Sequence, residues 1–141
     1  MPANKPSRKI TAKKQRLAEA VAALTALLFG PKQRNETAAY TLLALLDLQP
    51  NDPWTTAEAP LRGITPIIDF IAKTYGVRYA PNTRETIRDD AVKFFVAAGL
   101  LLRNPDDLNR PTNSGRTVYQ IEPLALALLR KVGTRDWPAA L

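Results

Sequence analysis

The order of the hydrophobic patterns along the 141 residues constrains the fold more than any single motif does. Four segments space their apolar residues as amphipathic helices do, and these are residues 17–29, 35–48, 65–75 and 83–98. Two short β-prone runs follow, at residues 100–104 and 117–122, and the residues between them are rich in Pro, Asn and Gly. Pro123 then opens a last helix that closes at Gly133. The chain is therefore predicted to be mainly α-helical with one small β-hairpin.

Capping and helix-breaking residues set the expected ends of these helices. Asn35 is expected to cap the second helix and Thr65 the third, with Pro66 in the first turn of the latter. Asn82 and Glu85 form a variant of the capping box at the start of the fourth helix. Left-handed stops are expected at Gly76 and Gly99. These signals agree with the boundaries that the hydrophobic spacing indicates.

The same spacing predicts which side chains are buried. In the first helix these are Leu17, Val21, Leu24 and Leu28. In the fourth helix they are Ile87, Ala91, Phe94, Phe95 and Ala98. In the last helix they are Leu124, Leu128 and Val132. Trp54 and Leu61 are expected to pin the proline-rich loop of residues 49–63 to the core.

The composition excludes several classes of chemistry. The chain contains no cysteine and no histidine, so a disulfide, a Cys/His zinc site, a cysteine nucleophile and a serine–histidine relay are all excluded. We expect no catalytic residue, no metal ligand and no cofactor in this chain. The apolar run after residue 16 is interrupted by Glu19 and is too short to span a bilayer, for which about 20 apolar residues are needed. A cytoplasmic location without membrane contact is therefore expected.

The net charge of +7 is concentrated at the N-terminus. Residues 1–16 form a basic arm with six lysines and arginines and no acid, including Lys13, Lys14 and Arg16, whereas the body at residues 17–137 is nearly neutral. A basic arm favours attraction to a polyanion such as DNA, because neutralised phosphates release counterions. The alternative is a solvated tail without a partner.

The order of elements matches a winged helix-turn-helix preceded by one extra helix, with residues 17–137 as a single domain. Its three-helix core would be residues 35–48, 65–75 and 83–98, and its wing residues 100–122. In such folds the last core helix enters the major groove of double-stranded DNA, and the tip of the wing touches the backbone or the minor groove. This assignment, with the two arm lysines added, predicts the following DNA-binding residues: Lys13, Lys14, Arg78, Asn82, Thr83, Arg84, Thr86, Arg88, Lys93, Arg110, Thr112, Asn113, Ser114 and Arg116. No small-molecule substrate is expected.

Each of these residues also has a structural interpretation. Arg84 and Arg88 could pair with the acids at positions 85, 89 and 90 on a solvated helix surface. Asp89 and Asp90 would repel phosphates if they faced them. Asp106 and Asp107 are expected to shape the turn of the wing rather than to bind a metal. Residues 112–114 could equally hold the wing in shape or contact DNA.

Several short motifs also resemble a known family. In chain order they are TPIIDF at 65–70, APNTRETIR at 80–88, AGL at 98–100, NPDD at 104–107, RPTNS at 110–114 and VYQI at 118–121. These motifs resemble the N-terminal region of BsuBI/PstI-type type II restriction endonucleases, over residues 33–137. The resemblance implies a domain that precedes a separate nuclease domain, for which magnesium would be the cofactor. The acid-x-lysine pair of that nuclease core is not found in this sequence.

Three classes of function remain open at this point. The first and favoured is the DNA-recognition domain of a restriction endonuclease, without nuclease chemistry of its own. The second is a free-standing winged-helix regulator that forms a homodimer through its N-terminal helix. The third is a scaffold that positions protein partners within the endonuclease and binds duplexes weakly, without dependence on their sequence.

Overall fold

The computed structural model describes residues 8–111 and 114–140. The helices are α1 (Arg8–Ala26), α2 (Glu36–Leu45), α3 (Ile64–Phe70, continued by a π-helical turn at Ile71–Tyr75) and α4 (Thr83–Thr86, continued by a π-helical turn at Ile87–Val92 and an α-helical turn at Lys93–Ala97). Strands β1 (Leu101–Arg103) and β2 (Tyr119–Ile121) follow, and then α5 (Pro123–Leu129) and α6 (Trp137–Ala140). Short 3-10 turns lie at Pro31–Gln33 and Trp54–Thr56. The predicted class, mainly α with a small β-hairpin, is confirmed.

Helix α1 begins earlier than predicted. It starts at Arg8 rather than at residue 17, so the second half of the basic arm is helical. Leu24 is fully buried, but Leu28 is 90% exposed with a φ of 68°. The prediction that Leu28 is buried was wrong, because the helix ends at Ala26 and the chain turns before Leu28 can continue the apolar stripe.

Helix α2 occupies the centre of the core. The Asn35 side chain accepts a hydrogen bond of 2.9 Å from the backbone N–H of Ala38, which confirms the predicted cap. Every residue from Ala38 to Leu45 is buried, since α1, α3 and α4 all pack against this helix. It therefore has no solvated face at these positions.

Helix α3 begins at Ile64, and its cap position is occupied by Gly63 rather than by the predicted Thr65. Gly63 takes the extended backbone of a cap, while Thr65 already lies inside the first turn. A Cβ atom at Gly63 would stand 2.9 Å from the backbone oxygen of Thr117, which explains why the chain has glycine there. The predicted stop at Gly76 is confirmed by its φ of 75°.

Helix α4 departs from its predicted start and from its predicted buried face. Asn82 has a helical backbone, and within the described residues its side chain caps no N–H, so the predicted capping box was wrong. Ile87, Ala91 and Phe95 are buried as predicted, but Val92 is buried too and Phe94 is 46% exposed.

The π-helical turn accounts for this change of face. It fits one extra residue into the helix and thereby rotates the residues that follow it. For the same reason Ala98 is exposed rather than buried. The stop at Gly99 is confirmed by a φ of 81°.

The hairpin is confirmed, and it has a third partner that the sequence did not indicate. Strands β1 and β2 are antiparallel, with Arg103 opposite Tyr119. Arg62, just before α3, forms a two-way backbone bridge with Tyr119, with N···O distances of 3.0 and 2.8 Å. The loop of residues 49–63 is therefore tied to the wing by Arg62 and to the core by buried Trp54. The predicted anchor Leu61 is exposed, because its neighbour Arg62 makes the contact instead.

Helix α5 follows the hairpin and precedes α6. The Glu122 carboxylate caps it by accepting from the backbone N–H groups of Leu124 and Ala125. Leu129 and Val132 are buried, but Leu124 is 79% exposed at the first turn, so its predicted burial was wrong. Among the residues that the structure describes, no helix is both long and apolar enough to cross a membrane.

Candidate nucleic-acid interface

The exposed side of α4 carries several of the predicted DNA-binding side chains. Arg84, Thr86, Arg88 and Lys93 are all exposed, as is Asn82 just before the helix, while Thr83 is half-buried. Glu85 and Asp89 share this side, as the helical spacing predicted. The side of α4 that faces away from the core is therefore polar, and cations outnumber acids on it.

A groove of about 200 Å³ lies where α4 meets the start of α3 and the wing. We call it the wing groove, and its lining includes Thr65, Arg84, Arg88, Ser114, Thr117 and Tyr119. The Arg84 guanidinium donates a hydrogen bond to the Thr65 hydroxyl across this groove. The structure thus brings two predicted arginines of α4 together with Ser114 of the wing.

A second groove lies on the strand side of α4. We call it the strand notch, and it is lined by Arg88, Asp89, Val92, Lys93, Val96, Arg103 and Tyr119 around about 250 Å³. Arg103 was not among the predicted residues. Its signal in the sequence is weak, since it is a single basic residue at the end of a β-prone run. It lies beside α4 because β1 follows that helix closely and packs against its last turn.

The two adjacent acids of α4 differ in exposure. Asp89 pairs with Arg88 at 3.1 Å, with both side chains more than half exposed, at 58% and 55% respectively. This hydrogen bond raises the pKa of Arg88 above its usual value. Asp90 is half-buried, and its backbone oxygen accepts from Gln33 on the far side of the helix. Of the two carboxylates expected to repel phosphates, the more exposed one, Asp89, thus already has a cationic partner.

Arg110 is committed to the structure of the wing. Its guanidinium makes two hydrogen bonds of 3.0 Å to the Asp106 carboxylate and one of 2.9 Å to the Asn104 side-chain oxygen. The same Asn104 oxygen accepts from the backbone N–H of Val118 on the other arm of the wing. The hydrogen bond from Arg110 lowers the pKa of the Asp106 carboxyl. Asn104 therefore joins both arms of the wing, and Arg110 holds Asn104 and Asp106 together.

The rest of the wing agrees with its predicted role as a shaped turn. Asp107 accepts from the backbone N–H of Asn109 at 3.1 Å, as expected of a residue that stabilises a turn. Ser114 accepts from the backbone N–H of Arg116 at 3.0 Å, and the Arg116 side chain is exposed. Thr112 and Asn113 lie outside the described residues.

The basic end of α1 lies at the opposite end of α3 from the wing groove. Lys13 lines a cleft with Lys73 and Thr74, close to Gly76 where α3 stops. Twelve helical residues separate this end from Ile64, which corresponds to roughly 18 Å. Lys14 is exposed on the same helix, and Arg78 is exposed in the connection that follows Gly76.

Arg16 corrects the description of residues 1–16 as a basic arm. It is only 6% exposed, and it pairs with Glu19 at 2.7 Å. It also donates to the backbone oxygens of Pro50 and Asp52, and its guanidinium lies 5.5 Å from the centroid of the Trp54 ring. Its charge therefore holds the loop of residues 49–63 to α1. In residues 8–111 and 114–140 no group of three or more acids is placed to hold a metal ion.

Comparisons with known proteins agree on one kind of relative. The sequence model of the BsuBI/PstI restriction endonuclease HTH domain matches residues 14–141. The chain is 43% identical to the type II restriction enzyme BsuBI of Bacillus subtilis over 123 residues, which are 87% of this chain and 39% of that enzyme. It is 41% identical to the type II restriction enzyme AplI of Arthrospira platensis over 110 residues, which are 78% of this chain and 34% of that enzyme.

A solved structure supports the same relationship. The structure of SdaI restriction endonuclease superposes with a TM-score of 0.82 at 33% sequence identity, and the match covers 86% of this chain and 38% of that one. The chain thus spans about two fifths of the length of the relatives it matches.

Proposed function

Since the chain belongs to the BsuBI/PstI restriction endonuclease HTH domain family, we propose that it is the DNA-recognition domain of a type II restriction endonuclease. Its partner is double-stranded DNA in the cytoplasm. Cleavage is assigned to a separate nuclease part that uses magnesium, and this chain is assigned no cutting chemistry. The extent of the match, 39% of one relative and 34% of the other, supports such a division of labour.

One observation carries this proposal: the wing groove is bordered on one side by the exposed arginines of α4, Arg84 and Arg88, and on the other side by the wing. An α-helix fits the major groove of B-DNA, which is about 12 Å wide, and a neighbouring wing then reaches the flanking backbone. The wing groove places these two elements in that relation. Ser114 and Arg116 of the wing are assigned to the backbone, together with Thr112 and Asn113.

Arg88 is assigned the principal base contact. Its Nε donates to Asp89, so the terminal nitrogens of the guanidinium are assigned to the O6 and N7 atoms of a guanine. Arg84 takes a supporting position, because its bond to Thr65 ties it to the start of α3. Asn82, Thr83, Thr86 and Lys93 complete the face that α4 presents.

The scaffold function has less support in the structure. A domain that only positions protein partners needs no cations at the groove between α4 and the wing. The regulator function is disfavoured by the family, since the matched relatives are restriction enzymes. Formation of a homodimer remains compatible with the recognition domain and is part of the proposal only as an assembly of the complete enzyme.

The test compares two duplexes, one selected from a randomised library by the protein itself and one with the same bases scrambled. Arg88→Ala should lose about 1–3 kcal/mol of binding free energy on the selected duplex and much less on the scrambled one. Arg135→Ala is the matched control, since Arg135 is exposed and lines neither groove. An equal loss on both duplexes would make Arg88 a phosphate contact. No loss on either would remove it from the interface.

A further inference from the structure

We propose that the strand notch binds one backbone phosphate of the DNA duplex through Lys93, Arg103 and Tyr119, while Arg88 at its border keeps the base contact assigned above. The proposal rests on the function proposed above and adds a site that sequence reasoning did not predict. Its central residue is Arg103, which lies on β1 rather than on α4 or at the wing tip.

The cations of the notch come from two elements that face each other. Arg88 and Lys93 line it from α4, and Arg103 lines it from β1. Tyr119 lies directly across the hairpin from Arg103, so the antiparallel pairing fixes where the arginine stands. A concave site with cations on both walls and about 250 Å³ between them suits a single tetrahedral anion.

The π-helical turn of α4 brings two of these cations together. In a regular α-helix, residues five apart differ in direction by about 140°. Arg88 and Lys93 are five apart, yet both line the strand notch, because the π-helical turn at Ile87–Val92 lies between them. Turns of this kind are frequent at functional sites. The irregularity therefore has a consequence for the charge of the site as well as for the core.

The charges of the notch favour a phosphate over a base edge. Three cations and one carboxylate, Asp89, give the site a net positive charge, and Asp89 is already paired with Arg88. Burial raises the pKa of Tyr119, so its hydroxyl keeps its proton and can donate a hydrogen bond. Phosphate oxygens accept from arginine, lysine and tyrosine alike. The notch thus offers several donors and little that would discriminate between base pairs.

A salt series with the whole chain tests the site. Arg103→Gln should weaken binding about tenfold on the selected and the scrambled duplex alike, as expected for one lost bond to a charged group. It should also reduce the slope of log affinity against log salt by about 0.9. Arg135→Gln removes the same charge outside the notch and should leave both quantities unchanged. Arg103→Lys should restore the slope.

Replacement of single phosphates identifies the contact directly. We would measure binding to a set of duplexes, each with a neutral methylphosphonate at a different position. At one of these positions the substitution should weaken binding by the wild type but leave the affinity of Arg103→Gln unchanged. If every position weakens the variant as much as the wild type, the notch binds no phosphate. Lys93→Gln should lose sensitivity at that same position, which provides a second variant if Arg103→Gln melts at a lower temperature.

The outcomes separate this inference from the function on which it rests. If the wild type binds no duplex even at low salt, the proposed function is wrong. If the wild type binds and Arg103→Gln matches Arg135→Gln in affinity, slope and phosphate sensitivity, only the notch is wrong. An acidic peptide that bound at the notch would inhibit DNA binding by the wild type more than DNA binding by Arg103→Gln. If the peptide inhibits both proteins equally, it does not compete at the notch, and this result supports the assignment to DNA.

Discussion

The two basic regions of this domain differ in how exposed their cations are, and the difference is the reverse of what their sequences suggest. The N-terminal end of α1 comes from a stretch of bases without an acid, whereas α4 mixes both signs. In the structure, Arg16 of α1 is buried among hydrogen-bond acceptors, while Arg88 and Lys93 of α4 stand exposed at grooves. A run of like charges along the chain therefore does not by itself make a charged surface, because a guanidinium such as that of Arg16 can be buried by hydrogen bonds within the fold.

The largest expected effect concerns the α1 side of this comparison. Arg16→Met should lower the free energy of unfolding by about 2 kcal/mol, because the backbone oxygens of Pro50 and Asp52 lose their donor while the loop stays in place. Urea denaturation measures it. Lys14→Met, an exposed neighbour, should change stability by less than about 0.5 kcal/mol. If the two variants were equally stable and Arg16→Met bound DNA more weakly, Arg16 would be an arm residue after all.

An intermediate effect is expected from Lys13 and Lys14 of the same helix, of which Lys13 is half-buried and Lys14 exposed. The double variant Lys13→Gln/Lys14→Gln should reduce the slope of log affinity against log salt by about 1.8, equally for selected and scrambled duplexes. Fluorescence anisotropy at several salt concentrations provides the measurement. A slope equal to that of the wild type would confine DNA binding to α4 and the wing, and the cleft beside Lys73 would then lie outside the interface.

The smallest effect concerns the wing. Arg110 holds the pKa of Asp106 below its usual value. The ion pair therefore stabilises the wing fully at a pH above the usual pKa of an aspartate, and this stabilisation is lost as the pH falls through the lowered pKa. An NMR titration of the Asp106 carboxyl should show an upward shift of its midpoint in Arg110→Ala. An unchanged midpoint would mean that Arg110 is available for DNA rather than bound within the wing.

Local signals predicted part of the fold well. The cap at Asn35 and the stops at Gly76 and Gly99 depend on a few neighbouring residues, and all three are present as expected. The hairpin was predicted because β-prone runs surround a turn-rich segment. Such features need no knowledge of what packs against them.

Features that depend on distant contacts were not predictable in the same way. The spacing of α4 indicated burial of Phe94, but the π-helical turn rotated that residue outward. Asn82 has the right neighbours for a capping box, yet its backbone is helical in the folded chain. Leu28 continued an apolar stripe in sequence but lies beyond the end of α1.

The candidate site divides along the same line. The side chains of α4 were predicted because helical spacing places them on its outer face. Arg103 was not singled out because only the folded chain shows that it lines a groove with α4, and the bonds of Arg110 to Asn104 and Asp106 were not anticipated from the sequence. Patterns of residue type thus indicated which element presents an exposed polar face, and tertiary contacts decide which cations stand exposed on it.

The close approach of Gly63 to Thr117 has a consequence for transplanting parts of this domain. The residue before α3 and the second arm of the wing touch so closely that no side chain fits between them, and the Arg62 bridge reinforces the seam. A chimera that imports a foreign wing must therefore import a matching glycine and its neighbour with it. The wing and the start of α3 therefore have to be exchanged together.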